Sequence, residues 1–231
     1  IILPALLIAN GEGWHLPDQI VSSEYLTLEG RKISTSQNYA IWVKDLLDDY
    51  DADSIRYFFI ANGPEKKDAD FSWREYVHSH NGELLGAYGN FVNRSLAFIA
   101  KYCDGAVPDG IDDPERNKQI DELFVSTGKQ IEKGAFKDAL YEIFGFVRSA
   151  NKFFDTEQPW LTRNTDKTAC DNTLYQCVQI IASLAVLLLP FLPFSSEKVL
   201  RWLNISGKWE RRSIPAGYSL PEVELLFQRI D

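Results

Sequence analysis

Apolar positions recur with helical spacing over the last two thirds of the chain and fall into short runs before that. Residues 78–102 predict one long helix. Its apolar stripe is Leu85, Tyr88, Val92, Leu96 and Ile99, spaced 3, 4, 4 and 3. A break from Asp104-Gly105 to Pro114 follows. The pattern then predicts helices over 116–133, 135–154, 169–189 and 191–203, with Gly134 separating the first two. Short connections between long helices make antiparallel neighbours, hence a helix bundle. The tail, residues 206–231, holds Pro215, Gly217 and Pro221 and is expected to be extended.

The first third differs in character. Residues 1–9 are apolar on most sides and end in Asn10-Gly11-Glu12-Gly13, a helix stop. Ile20-Val21 and residues 25–28 predict short strands. Residues 39–47 are helical by pattern. Asp51-Ala52-Asp53-Ser54 offers caps for a helix over 54–61, which Asn62-Gly63-Pro64 stops. Residues 65–70 are expected to form a charged loop, and Phe71-Ser72-Trp73 to open another helix. The opening is too small to fold alone and reads as the last piece of an α/β domain. The chain has no Met, even at position 1, and Ile1-Ile2-Leu3-Pro4 reads as the interior of a longer protein. No internal repeat or low-complexity segment interrupts it.

Composition adds limits. At 231 residues, 45% hydrophobic and 25% charged, the chain can bury one or two cores. Three cysteines, Cys103, Cys170 and Cys177, have no metal-ligand spacing, and their odd number argues against a disulfide scaffold. A reducing cytoplasm fits best. The apolar run of residues 180–194 is broken by Pro190 and Pro193 and is too short for a membrane span. The net charge of −9 argues against a nonspecific nucleic-acid binder, though a local patch can still read one folded RNA.

Three motifs carry candidate chemistry. Arg31-Lys32-Ile33-Ser34-Thr35-Ser36 follows a β-type run and a Glu29-Gly30 turn. A lysine there meets a phosphate as a point charge, while hydroxyls and backbone amides hold its oxygens; a plain surface turn has the same composition. On the long helix, Glu83, Ala87, Asn90, Arg94, Ala97 and Lys101 share a face opposite the apolar stripe. Asn90 and Arg94, at i and i+4, offer a rigid fork of donors beside a donor–acceptor amide, a set suited to the edge of an unpaired base. Spacing alone fits a solvated helix face equally. Gln158-Pro159-Trp160 follows a helix and fixes the backbone before a large ring, either a stacking platform or a cap on the core. His15, His78 and His80 form no metal pair. Glu65-Lys66-Lys67-Asp68 and the strip Lys129, Lys133, Lys137 read first as solvated charge.

The loop at 31–36 resembles the Lys-Met-Ser-Lys-Ser loop of class I aminoacyl-tRNA synthetases, with Ile33 for the Met and Thr35 for the second Lys. Leu16-Pro17, residues 51–57, Asn90-Phe91-Val92-Asn93-Arg94, Asn151-Lys152, Gln158-Pro159-Trp160 and Leu189-Pro190-Phe191-Leu192-Pro193 then fall in the order and spacing of the methionyl-tRNA synthetase family. The resemblance covers essentially the whole chain. It implies a mainly α fold: a class I antiparallel anticodon-binding helix bundle preceded by a small α/β remnant of a Rossmann-type catalytic domain. The implied domains are residues 1–38, the catalytic remnant with the signature loop; 39–77, an α-rich connector; and 78–231, the bundle with its extended tail.

The resemblance also implies roles. Asn90 and Arg94 recognise the first anticodon base, a cytosine, and Trp160 stacks in the anticodon pocket. Arg31, Lys32, Ser34, Thr35 and Ser36 close over ATP, with Lys32 as the catalytic lysine that steadies the leaving pyrophosphate. Thr35 departs from the pattern, since a hydroxyl hydrogen-bonds phosphate without neutralising it. The parent enzyme would use ATP with Mg2+ to activate methionine and charge tRNA(Met). Methionine and ATP would bind mainly outside this fragment, which contains no His-x-Gly-His motif. The fragment alone is expected to hold no cofactor, to touch no membrane and to be inactive. Its region 65–68 would lie near the inner bend of the tRNA. Two rivals stay open here: another class I synthetase of the same bundle type, such as the cysteine or leucine enzyme, and a noncatalytic helical module that binds RNA or protein.

Overall fold

The computed structural model describes residues 2–231; Ile1, the first residue of the expected apolar run, lies outside them. In chain order the elements are α1 (Ile2–Ala9), β1 (Leu26–Leu28), β2 (Arg31–Lys32), α2 (Val43–Asp49), α3 (Ala52–Asn62), β3 (Ala69–Phe71), α4 (Trp73–Ser79), a π-helical segment (His80–Gly89), α5 (Asn90–Tyr102), α6 (Pro114–Glu132), α7 (Phe136–Glu157), α8 (Pro159–Thr165), α9 (Lys167–Leu188) and α10 (Pro193–Trp202). The fold is mainly α, a helix bundle preceded by a three-stranded sheet of order β2-β1-β3. β1 pairs antiparallel with β2 and parallel with β3.

Several expectations change. Ile20-Val21 is not a strand; its side chains are exposed and no partner strand lies beside it. The expected charged loop ends in β3, because pairing with β1 outweighs the poor strand propensity of Ala69 and Asp70. The helix expected over 39–47 starts only at Val43. α4, the π segment and α5 form one continuous helix over 73–102, longer than expected and wider in its middle. Through these wider turns Leu84 is fully buried with Tyr88, Phe91, Val92, Leu96 and Ile99, and the expected Leu85 packs against the same core while only partly buried. Each such burial contributes roughly 1.5–3 kcal/mol.

Two apolar cores result. A small one joins Leu28, Leu46, Ile55, Phe58, Phe71 and Tyr76. The large one fills the bundle around α9, which is buried along nearly its whole length. α9 has the length and mean hydropathy, 1.2, of a membrane span, but 89% of its apolar window is buried by the other helices, which makes it the bundle's central helix. α1 lies outside both cores, with Ile2, Leu3, Leu6 and Ile8 exposed.

The two cores are tied by a polar knot. Asp53, buried on α3, accepts hydrogen bonds from the Ser195 amide and hydroxyl, both at 2.6 Å, and from the Phe194 amide at 3.3 Å. It therefore caps α10 from another helix, where the exposed amides and the helix dipole favour a negative charge. Arg56 donates to the carbonyls of Phe191 and Pro190, both at 2.9 Å. Next to Asp53, the Ser54 hydroxyl meets His80 Nδ1 at 2.7 Å, and His80 Nε2 donates to the Gln228 carbonyl at 2.8 Å. The Gln228 carbonyl can only accept, so Nε2 carries a proton, and the Ser54 hydroxyl can donate to Nδ1 when the ring is neutral.

The tail is extended, as expected, and its backbone groups find side-chain partners. Gln179 exchanges two hydrogen bonds with the Ile214 backbone, and Asn81 does the same with Ile230.

Two outcomes follow for stability. Asp53→Ala leaves the first amides of α10 buried without an acceptor and should cost about 3 kcal/mol in urea unfolding. Burial pushes the His80 pKa below its ordinary 6.5, against the raising influence of the Gln228 carbonyl and Asp51. The unfolded chain therefore takes up the proton first. Stability should be flat above about pH 6.5, fall as pH drops towards the lower folded value, and level off beneath it. A His80→Gln chain should lack that slope in urea titrations between pH 7 and pH 5.

Candidate functional site

The expected site residues form two groups at opposite ends of the 73–102 helix. In the first, β1 and β2 meet at Glu29 and Gly30, both with positive φ (48° and 72°), as a two-residue hairpin requires. Asp70 accepts from the Gly30 amide at 2.9 Å, and Glu29 Oε1 accepts from the Trp73 amide at 2.8 Å. The hairpin is thus moored to the start of α4. Beyond it, Ser34 and Tyr39 exchange backbone hydrogen bonds at 2.9 Å and close a loop that presents residues 34–38.

Within this loop Arg31 lies over the Tyr39 ring, 4.1 Å from its centroid, and Tyr39 donates to the Leu28 carbonyl at 2.8 Å. Ser34 and Ser36 hydroxyls are 3.2 Å apart. Lys32 is exposed and has no hydrogen bond or ion pair among the described residues, so its ammonium is available to an anion.

The second group is built by α5, α7 and α8. α7 ends at Gln158, which takes the left-handed conformation (φ 46°) and turns the chain; Pro159 then starts α8 in its first turn, where a missing amide costs nothing. Trp160 therefore sits in the first turn of a short helix that the sequence pattern did not predict. Its indole is 39% exposed and packs on Phe154, centroids 5.9 Å apart and planes tilted by 34°. Arg94 lies over the same Phe154 ring, its guanidinium carbon 4.1 Å from the centroid. Arg94, Phe154 and Trp160 make one continuous stack, with Asn90 exposed one helical turn before Arg94, about 6 Å along the axis.

Arg94 is not a free fork. Nη1 donates to Asp155 Oδ1 at 2.8 Å and Nη2 to the Asn151 carbonyl at 2.9 Å. Two of its five N–H groups are thereby engaged, and its plane is fixed before any ligand arrives. Asn151 itself donates to the carbonyls of Ala87 and Val147, joining α7 to the end of the π segment. Asn151 entered the sequence reading only as part of a family motif, and no role was drawn for it, for Phe154 or for Asp155. The available signal was their spacing at i, i+3 and i+4, which puts a polar–aromatic–acidic row on one face of the last turns of α7.

Other charged residues settle into structural contacts. The 65–68 loop is latched to the start of α7: Glu65 accepts from the Lys137 amide and Lys66 pairs with Asp138, both at 2.8 Å. His15 faces Asp18 in an exposed loop at 3.0 Å. Among the described residues no group of three or more His, Cys, Asp or Glu is placed to hold a metal ion.

A family profile described as tRNA synthetases class I (M) matches residues 1–96. A second, the anticodon binding domain of methionyl tRNA ligase, matches residues 107–231. Methionine–tRNA ligase 1 of Alkaliphilus oremlandii is 51% identical over 233 residues, spanning 100% of this chain and 43% of that protein. The methionine–tRNA ligase of Bacillus anthracis is 53% identical, with 42% of it spanned. The chain thus spans less than half the length of these curated relatives. Among solved structures, Mycobacterium tuberculosis methionyl-tRNA synthetase in its free state superposes with a TM-score of 0.85 at 26% identity, over 100% of this chain and 47% of that one. The same enzyme in complex with methionyl-adenylate gives 0.84 at 26% identity, over 99% of this chain and 47% of that one. The rival families and the unrelated helical module fall away: the chain belongs to the methionyl-tRNA synthetase family, and its second half carries that family's anticodon-binding domain.

Proposed function

We propose that this chain serves in the ATP-dependent attachment of methionine to tRNA(Met), reading the anticodon through Asn90, Arg94 and Trp160 and supplying Lys32 to the activation step. The observation that carries the reading is the Arg94–Phe154–Trp160 stack beside Asn90, on a domain whose family profile is an anticodon-binding one. An unpaired base stacks on the exposed indole, and its polar edge meets the outer N–H groups of Arg94 and the Asn90 amide. Asp155 and the Asn151 carbonyl hold the guanidinium plane, so little side-chain entropy is lost on contact.

At the other end, methionine would attack the α-phosphorus of ATP through its carboxylate, and pyrophosphate would leave. Charge grows on the leaving oxygens, and an unpaired lysine stabilises it there more than in the ground state. Arg31 stays stacked on Tyr39, and Ser34, Thr35 and Ser36 offer hydroxyls to phosphate oxygens. Thr35 brings no charge, so Lys32 and Arg31 would carry the loop's cationic share, and Mg2+ would add its charge in the longer enzyme. The three segments 1–38, 39–77 and 78–231 then act as catalytic remnant, connector and anticodon domain, in the cytoplasm.

Two experiments test this. Arg94→Ala should cost about 1–3 kcal/mol in tRNA affinity and relax discrimination at the first anticodon base. The measurement is a titration with methionine tRNA and with a version changed only at that base; equal affinity of the unmutated chain for both would remove the reading. In a ligase of the curated relatives' length that carries this chain, Lys32→Ala should slow pyrophosphate exchange far more than it weakens methionine binding. An unchanged exchange rate constant would return the loop to a structural role, and Thr35→Lys reports whether a second charge adds rate.

A further inference from the structure

One helical stretch beyond the Arg94 stack lies a second aromatic–cationic cluster that the activity above does not use. Along α5, Arg94 is followed by Phe98, Lys101 and Tyr102 at i+4, i+7 and i+8; on α8, Arg163 stands three residues after Trp160. The two rows converge on Tyr102. The Arg163 guanidinium carbon lies 4.1 Å from the Tyr102 centroid, Lys101 Nζ lies 5.2 Å from it, and Phe98 packs against the ring at 4.5 Å. Tyr102 remains 41% exposed.

The charges at this point meet the Tyr102 phenol but, among the described residues, no carboxylate. Neither Lys101 nor Arg163 has an ion pair among the described residues, and Arg163 Nε is buried with no hydrogen-bond partner. Lys101 first and then Arg163 draw the Tyr102 phenol below its ordinary pKa, the mark of a cationic neighbourhood. The chain carries 33 acidic residues against 24 basic ones, so a carboxylate is the commoner neighbour by composition. Two cations crowded on one ring without one repel each other, and the cation–π contact with the ring offsets only about 0.5–1 kcal/mol at an exposed site. An anionic ligand removes that repulsion. Tyr102 lies about 12 Å along the helix axis from Arg94, within reach of the same single strand.

We propose that Lys101, Tyr102 and Arg163 form a phosphodiester-binding subsite that grips the backbone of the RNA strand whose base is presented to Asn90 and Arg94. The two cations hold the non-bridging oxygens and the phenol donates to one of them. The subsite fixes strand position and reads no base. It rests on the anticodon-binding reading of this chain.

The test is a salt series of titrations with methionine tRNA and with the version altered at the first anticodon base. Lys101→Gln and Arg163→Gln should each weaken both tRNAs by the same factor. Each should also flatten the slope of log affinity against log salt by about 0.7, the value for one single-strand phosphate contact. Arg163→Lys should restore most of that slope. Lys101 is exposed and, beyond the Tyr102 side chain, has no hydrogen bond or ion pair among the described residues, so Lys101→Gln is the variant that tests the subsite with the fold intact. If the unmutated chain discriminates between the tRNAs but both Gln variants keep its affinity and slope, the subsite falls and the anticodon reading stands. If the variants flatten the slope while the unmutated chain does not discriminate, the subsite stands and base reading by Arg94 falls. A Gln variant that changes the ratio between the two tRNAs would make its residue a base reader and overturn the proposal.

Discussion

A single buried carboxylate holds the two halves of this molecule together. Asp53 lies in the helix between the small core and the bundle, and it accepts from the otherwise unpaired amides that begin α10. Its neighbours work to the same end: Arg56 closes the turn before α10, and Ser54 passes through His80 to the tail. A charged group in such a place is costly unless it is hydrogen-bonded, and here three donors converge on it. Surface pairs such as Lys66–Asp138 add a latch between the same halves, but each is worth about 0–1 kcal/mol and does not set their geometry.

With that junction fixed, one helix can serve both cores. Tyr76 packs in the small core and Leu84, Tyr88 and Ile99 in the large one, all on the continuous 73–102 helix. The π segment lets the buried face rotate between them, and it leaves the Ala87 carbonyl available to Asn151. The hairpin of the signature loop is moored at the first residue of this helix, while Arg94 is fixed near its far end, roughly 30 Å away. The two candidate sites are therefore ends of one stiff element.

Long helices were legible in the sequence because periodicity accumulates over many residues; the bundle helices lie within a few residues of where spacing put them. Short elements were not. β3 has three residues, one of them Asp, and exists through pairing with β1. α8 has seven, too few to show a period, and it changes the setting of Trp160. Leu84, fully buried where the sequence pattern pointed to the partly buried Leu85, lies in the π segment, whose wider turns an α-helical period does not describe. The pairing of Asn90 with Arg94 was visible as an i, i+4 relation. The stack that joins Arg94 to Trp160 was not, because Phe154 meets both only through tertiary contact between α5, α7 and α8.

The cationic spot at Lys101 and Arg163 sits on a molecule of net charge −9, and this has a kinetic consequence. Beyond the Debye length, about 8 Å at physiological ionic strength, a polyanion approaching the chain feels net repulsion. Salt screens that repulsion and quickens encounter. At contact, the same salt weakens the grip on phosphate and quickens escape. Both rates rise together, so exchange accelerates more than affinity falls. An acidic body around a small basic site thus favours brief encounters and quick release for any polyanion that the site does not hold.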